Sequence, residues 1–173
     1  MLVTADIYDQ FSDRVESGIT QLKQYGCVQA FHGVIRTVSC VNDNVLIKKV
    51  LQQPSEGGVL VVDAGCYLGA AVMGDNIAKL AVAHGWSGVI INGAIRDAAI
   101  IKDIHLGVKA IGTNPKKTSK KGEGRVDVQV AFGNVAFGNV AFIPGHYIYS
   151  DEDGILVSDK QLKFRNRSLW VLW

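Results

Sequence analysis

Between residues 75 and 84 the apolar positions Ile77, Leu80, Ala81 and Ala83 fall roughly on one helical face, and Gly85 then ends the pattern. Gly88, Val89, Ile90 and Ile91 follow as a continuous apolar run bounded by glycines, which reads as a buried strand. The same patterning predicts helices over 4–10, 12–25 and 43–53, the first capped by the Thr4 hydroxyl and the second stopped by Gly26. Strands are expected over 34–39, 59–62, 108–112 and 126–131, with β-rich stretches at 147–149 and 155–157 and a short helix ending near Ile101. Helices and strands alternate along the whole chain, so the fold class is α/β.

The helix and strand of residues 75–91 have a geometric consequence. Ten helical residues advance ~15 Å. Six strand residues return ~20 Å. The start of the helix, Gly74-Asp75-Asn76-Ile77, should therefore lie beside the end of the strand, where Gly93 lets the chain turn and Arg96-Asp97 follow.

The residue types at that meeting point have chemistry in common. The first N–H groups of the helix lack partners within it and carry partial positive charge suited to a carboxylate. Gly74 presents no side chain to block a ligand. Arg96 offers a planar fork for a carboxylate or keto oxygen. Asp97 can bind a hard cation such as Mg²⁺ or Mn²⁺, and Asp75 can hold that ion's waters. A plainer account stays open on spacing alone: Asp75 as a helix-start charge worth a few tenths of a kcal/mol, and Arg96-Asp97 as a surface ion pair.

Val61-Val62-Asp63-Ala64-Gly65, Gly74-Asp75 and the run from Gly88 through Asn92-Gly93-Ala94-Ile95 to Arg96-Asp97 resemble the regulator of ribonuclease activity A family, which includes the class II 4-hydroxy-4-methyl-2-oxoglutarate aldolases. The likeness continues over 103–107, 122–130, Pro144-Gly145 and 149–157, so it covers roughly residues 3–159. Members that regulate ribonuclease E tend to lack the acid after the arginine, whereas this chain has Asp97 there. The resemblance implies a compact three-layer β/β/α domain over residues 1–160 with a C-terminal tail over 161–173. It implies a substrate loop of Gly74, Asp75, Asn76 and Ile77, a substrate arginine at Arg96 and a metal ligand at Asp97. Asp75, Arg96 and Asp97 would then be the catalytic set. The implied activity is metal-dependent cleavage of 4-hydroxy-4-methyl-2-oxoglutarate to pyruvate, with oxaloacetate decarboxylation, through a pyruvate enolate common to both reactions. The implied assembly is a homotrimer, sometimes paired into a hexamer. The alternative the family offers is a non-catalytic protein that binds and inhibits ribonuclease E.

Three features depart from the family pattern. Residues 131–142 repeat a five-residue Ala-Phe-Gly-Asn-Val unit, and an odd insertion inside a paired strand would flip every later side chain, so turns or a bulge are expected there. His146 stands where the family has Asp, and the tail is basic before ending Leu169-Trp170-Val171-Leu172-Trp173.

Charge and composition narrow the field. Eighteen Lys and Arg against 16 Asp and Glu give a net charge of +2, which exerts no pull toward nucleic acid or membrane. The basic cluster Lys116, Lys117, Lys120, Lys121 and Arg125 reads as a solvated, mobile loop able to steer anionic dicarboxylates, and it lacks interleaved aromatics for stacking on RNA bases. Gly65, Gly69 and Gly74 do not make a dinucleotide fingerprint. Cys27, Cys40 and Cys66 lack metal-ligand or disulfide-framework spacing, with Cys66 expected as a small buried thiol. The four histidines show no metal spacing either. Without a secretory pattern or an uninterrupted apolar span, the expected location is cytoplasmic.

Overall fold

The computed structural model describes residues 3–132 and 140–164. Four parallel strands form its centre: β3 (Phe31–Ser39), β4 (Val59–Met73), β5 (Gly88–Ile95) and β6 (Gly107–Thr113). Antiparallel strands extend them on both sides. The order is β1-β11-β10-β3-β4-β5-β6-β2, with β1 at Glu16–Ser17, β2 at Lys23–Gln24, β10 at Tyr147–Ser150 and β11 at Ile155–Ser158. A short β7 (Arg125–Val126) pairs with the end of β3, and β8 (Val130–Ala131) pairs with β9 (Ala141–Phe142) as a separate ribbon.

The layers follow from which face of each strand is apolar. Residues of β5, and those of β4 outside the exposed stretch 65–68, are largely buried on both faces, as parallel central strands are. One face, with Leu60, Val62, Val89 and Ile91, packs beneath α2 (Val45–Leu51), α3 (Asp75–Ala83) and α4 (Ala98–Ile101). The opposite face, with Val59, Val61 and Ile90, packs against Val130, Phe132 and Phe142 of the β8–β9 ribbon and against Ile148 and Val157. The fold is therefore the expected α/β type, with helices on one side of the sheet and β-structure on the other. A third apolar cluster holds α1 (Thr4–Phe11) against Tyr147, Tyr149 and Leu156.

Several elements differ from their sequence patterns, each for a physical reason. Residues 12–25 are not a helix. Val15, Ile19 and Leu22 have helical spacing, but Glu16–Ser17 pair with β11 and Lys23–Gln24 with β6, so inter-strand hydrogen bonding wins. The 126–131 strand is broken at Asp127, whose positive φ of 52° separates β7 from β8. Thr4 does not cap α1. Its amide and hydroxyl both donate to the buried Asp151 carboxylate, the hydroxyl at 2.7 Å, so a residue from the other end of the chain closes the helix start. Gly93 lies inside β5 rather than at a turn, where a Cβ would meet that of Ala64 at 2.7 Å.

Helix α3 ends where the sequence places its stop. Gly85 is left-handed (φ 79°), its N–H bonds the Val82 carbonyl, and the Trp86 N–H reaches back to Ala81, a Schellman closure. In the tail, Gln161 and Leu162 reach the Tyr147 and Tyr149 hydroxyls, and Phe164 meets Phe11 edge-on at 5.1 Å. Most of the five-residue repeat, at 133–139, and the tail at 165–173 lie outside the described residues.

Because Asp151 closes α1 through two bonds to a buried carboxylate, Asp151→Ala should cost about 1–3 kcal/mol. Hydrogen exchange should show the amides of α1 losing protection before those of β4 and β5.

Candidate functional site

The parallel strands all end at one edge of the sheet, and in open α/β sheets that edge is where ligands bind. At this edge the chain leaves β4 at Met73, starts α3 at Asp75, returns along β5 and leaves it at Ile95. The Arg96 N–H bonds the Met73 carbonyl at 2.9 Å, fastening the two exits together.

Asp97 supplies the next link. It adopts a left-handed backbone (φ 59°), a conformation rare outside glycine but tolerated by Asp. Its carbonyl starts α4 by accepting from Ile100 and Ile101, while its side chain turns back toward α3. Asp97 Oδ2 lies 3.4 Å from the Asp75 amide nitrogen and 3.4 Å from Arg96 Nε. Gly74 makes this possible: a Cβ there would stand 2.5 Å from Asp97 Oδ2 and 3.2 Å from Arg96 Nε.

The first turn of α3 is occupied in part by its own groups. Ile77 and Ala78 N–H both bond the Gly74 carbonyl. The Asp75 carboxylate pairs with Lys79 one turn on, Nζ to Oδ2 at 2.7 Å. That bond above all, outweighing partial burial, and then the Lys79 charge and the Asn76 N–H hold the Asp75 carboxyl below the usual carboxylate range. Asp75 is therefore an ionised acceptor at neutral pH.

Gly74, Asp75, Asn76, Ile77, Arg96 and Asp97 all line one cleft of about 160 Å³. Larger cavities of about 500 Å³ (beside Arg14 and His146) and about 420 Å³ (beside Trp86 and His32) lie elsewhere and contain none of these six residues. Size is the weaker guide here, because only the small cleft gathers the acids, the guanidinium and the helix start.

The rest of the cleft wall was not assigned from the sequence. Asn44 and Lys48 come from the start of α2, and Lys117, Thr118 and Lys120 come from the segment between β6 and β7. Asn44 Oδ1 is buried without a hydrogen-bond partner. The lysine cluster was the available signal for this wall. It is not a free loop: the Lys116 carbonyl accepts from Ala71, and Ser119 donates from both its amide and its hydroxyl to the Asn42 carbonyl.

Asp43 ties the two parts of that wall together. It is 1% exposed and accepts N–H bonds from Val45, Lys121 and Gly122. Burial alone would raise its pKa, but these N–H donors, with that of Glu123, prevail and hold it below the ordinary range. The clamp therefore contributes stability at neutral pH that is lost as pH falls through this depressed value.

Nearby, Cys66 is exposed rather than buried. It sits left-handed (φ 57°) in the outward bulge that β4 makes between Asp63 and Met73, with Sγ 3.1 Å from Asn92 Oδ1. No cluster of three or more His, Cys, Asp or Glu side chains suited to a metal occurs among the described residues.

Comparison with known proteins places this geometry. Residues 4–157 match the RraA-like family model, described as Aldolase/RraA. A chain from Geobacillus kaustophilus HTA426, described as S-adenosylmethionine:2-dimethylmenaquinone methyltransferase, is 42% identical over 93% of this chain and 97% of its own, with a TM-score of 0.88. The RNA-processing inhibitor RraA from Thermus thermophilis is 34% identical over 96% of this chain and 98% of its own, also at 0.88. Streptomyces coelicolor RraAS2, an unusual member of the RNase ES inhibitor RraA family, is 25% identical over 90% of this chain and 79% of its own, at 0.66. With its fold, its coverage and its family match in agreement, the chain belongs to the RraA-like (Aldolase/RraA) family.

Proposed function

We propose that this chain is a divalent-metal-dependent lyase that cleaves 4-hydroxy-4-methyl-2-oxoglutarate to pyruvate and decarboxylates oxaloacetate. The observation that carries this reading is the convergence of Arg96, Asp97 and the start of α3 in one small cleft walled by Lys48, Lys117 and Lys120. A pyruvate end fits the scale of that cleft. Arg96 would hold its carboxylate or keto oxygen, and the lysines would face the remaining carboxylate. A cleft this polar suits a small polyanion better than the apolar ring of a quinone.

The donor set fits a hard cation. Both contacts of Asp97 Oδ2 are long, at 3.4 Å, so the carboxylate is not consumed by them. Mg²⁺ and Mn²⁺ accept one or two carboxylates and fill the rest of their shell with water and substrate oxygens. Asp97 would hold such an ion, with Asp75 hydrogen-bonding its waters. When bound, the ion would supply positive charge against the negative charge that develops on the keto oxygen. Arg96 would add a second positive charge at the substrate's carboxylate or keto oxygen.

We propose a cytoplasmic homotrimer or hexamer for the assembly. Val41, Tyr67 and Leu68 support an oligomer, being exposed apolar residues with the latter two on the β4 bulge. Tyr67→Asp combined with Leu68→Asp should convert the assembly to monomers in sedimentation velocity.

A second reading rests on the 34% identity to the RNA-processing inhibitor RraA. It makes the chain a protein-binding inhibitor of ribonuclease E without chemistry of its own. Co-purification with ribonuclease E, together with no pyruvate release, would favour it.

Pyruvate release from both substrates, measured with Mg²⁺ and again with chelator, tests the enzyme reading. Metal-independent release, or none at all, would defeat it. Arg96→Ala and Asp97→Ala should each lower kcat/KM by ~100-fold or more with circular dichroism unchanged. Gly74→Ala should push the Asp97 carboxylate away, since the new methyl would stand 2.5 Å from Oδ2. Its activity should fall about as far as that of Asp97→Ala while thermal stability stays close to that of the wild type.

A further inference from the structure

The cationic wall of the cleft is built from two chain segments that are distant in sequence, and one buried side chain joins them. Asp43 sits two residues before α2, next to its N-cap Asn44, which lines the cleft with Lys48 of the helix. The Asp43 Oδ1 accepts the Val45 N–H and thereby fixes the start of α2, while Oδ2 accepts from Lys121 and Gly122 and draws in the segment carrying Lys117, Thr118 and Lys120. Asn42 reinforces the seam. Its Oδ1 accepts from the Thr118 hydroxyl at 3.0 Å and its carbonyl accepts from Ser119, with its own backbone left-handed at φ 52°. Asp43 is 1% exposed and lines no part of the cleft. It therefore acts on a ligand only through the groups it places.

The charges at the two ends of the cleft show what this placement would control. The end formed by Gly74, Arg96 and Asp97 is organised by β4, β5 and α3 and shares no hydrogen bond with Asp43, whose carboxylate accepts from Val45, Lys121 and Gly122. The lysine end depends on the seam. A short acid that reaches only Arg96 should be indifferent to the seam, whereas an acid with further carboxylates should depend on it.

We propose that Asp43 is a positioning residue that sets the lysine wall of the cleft and thereby its preference for keto acids carrying a second carboxylate. This rests on the keto-acid reading above. Protein catalysis is not needed to test it, because unreactive acids can report the two ends separately. Oxalate, two carbons long, would occupy the Arg96 end, and the longer tricarballylate would reach toward the lysines.

The test compares the full-length wild type with Asp43→Asn, which keeps the shape but turns an amide NH₂ toward N–H donors. Calorimetric titration in Mg²⁺ buffer should show tricarballylate affinity falling about fivefold, the worth of two or three partly exposed ammonium contacts, and oxalate affinity nearly unchanged. Limited trypsin digestion of the native protein, with the first cut mapped by mass spectrometry, should move to the bonds after Lys117 and Lys120. Asn42→Gly provides a second variant, since glycine accepts the left-handed backbone while losing the Thr118 bond. It should shift both readouts the same way by a smaller amount, and it decides the matter if Asp43→Asn fails to fold. Equal loss of both acids, unchanged affinity for both, or an uncut segment in the variants would overturn the inference. A wild type that binds oxalate but gains nothing from the longer acid would overturn it alone. A wild type that binds neither would overturn the keto-acid reading, and the selectivity with it.

Discussion

One close approach governs the cleft: the Asp97 carboxylate lies against the backbone of Gly74 and Asp75. It requires a residue without a Cβ at 74, a left-handed Asp at 97, and two strand exits held in register by the Arg96–Met73 backbone bond. Each requirement is local, but they act together, because a shift in any one moves the carboxylate off the helix start. A left-handed non-glycine residue costs roughly 1–2 kcal/mol relative to an ordinary conformation. Here it sends the main chain into α4 while sending the side chain the other way, which an ordinary conformation at that point would not do.

The rigid half and the assembled half of the cleft have different origins. Arg96, Asp97 and Gly74 belong to a β-α-β unit whose strands are largely buried on both faces, so their placement follows from the core. Lys117, Thr118 and Lys120 belong to a connection with no strand or helix of its own, and their placement depends on individual hydrogen bonds to Asn42, Asp43 and Ala71. The backbone of the first half is fixed by the core, and that of the second can be loosened by one substitution.

This division also explains what could be read from the sequence. The run-out and return of α3 and β5 was legible because helix period, glycine stop and apolar strand all agree over residues 75–91, and chain lengths then bring the helix start to the strand end; the contact between Gly74 and Asp97 also needs the left-handed backbone at Asp97, which the spacing does not reveal. The lysine wall was visible only as a run of charges, since nothing in the spacing of Lys117 or Lys120 reveals that Asp43, more than 70 residues earlier, receives the backbone beside them. The error over residues 12–25 has the same cause. Val15, Ile19 and Leu22 satisfy a helical template, yet Glu16 and Gln24 are committed to partners at Val157 and Lys109. Long-range pairing leaves no mark at the residues that it claims. The outward bulge of β4 was equally hidden, because the apolar run breaks at Asp63 and nothing in the sequence shows that the same strand resumes and runs on to Met73.

The balance of charge in the cleft bears on the kind of ligand it can take. Lys79 neutralises Asp75 at 2.7 Å, and Asp97 faces Arg96 at a longer 3.4 Å. Among the described residues, no ion pair engages Lys48, Lys117 or Lys120. Three ammonium groups thus border a small space without ion-pair partners of their own, a state tolerable near water and unfavourable if the cleft were closed over an uncharged molecule. An anion with several carboxylates relieves it, and a neutral ligand does not. The Asp75–Lys79 pair then has a definite consequence: by holding one acid's charge in balance, it keeps the cleft's field positive, so the chain's own residues favour a polyanion.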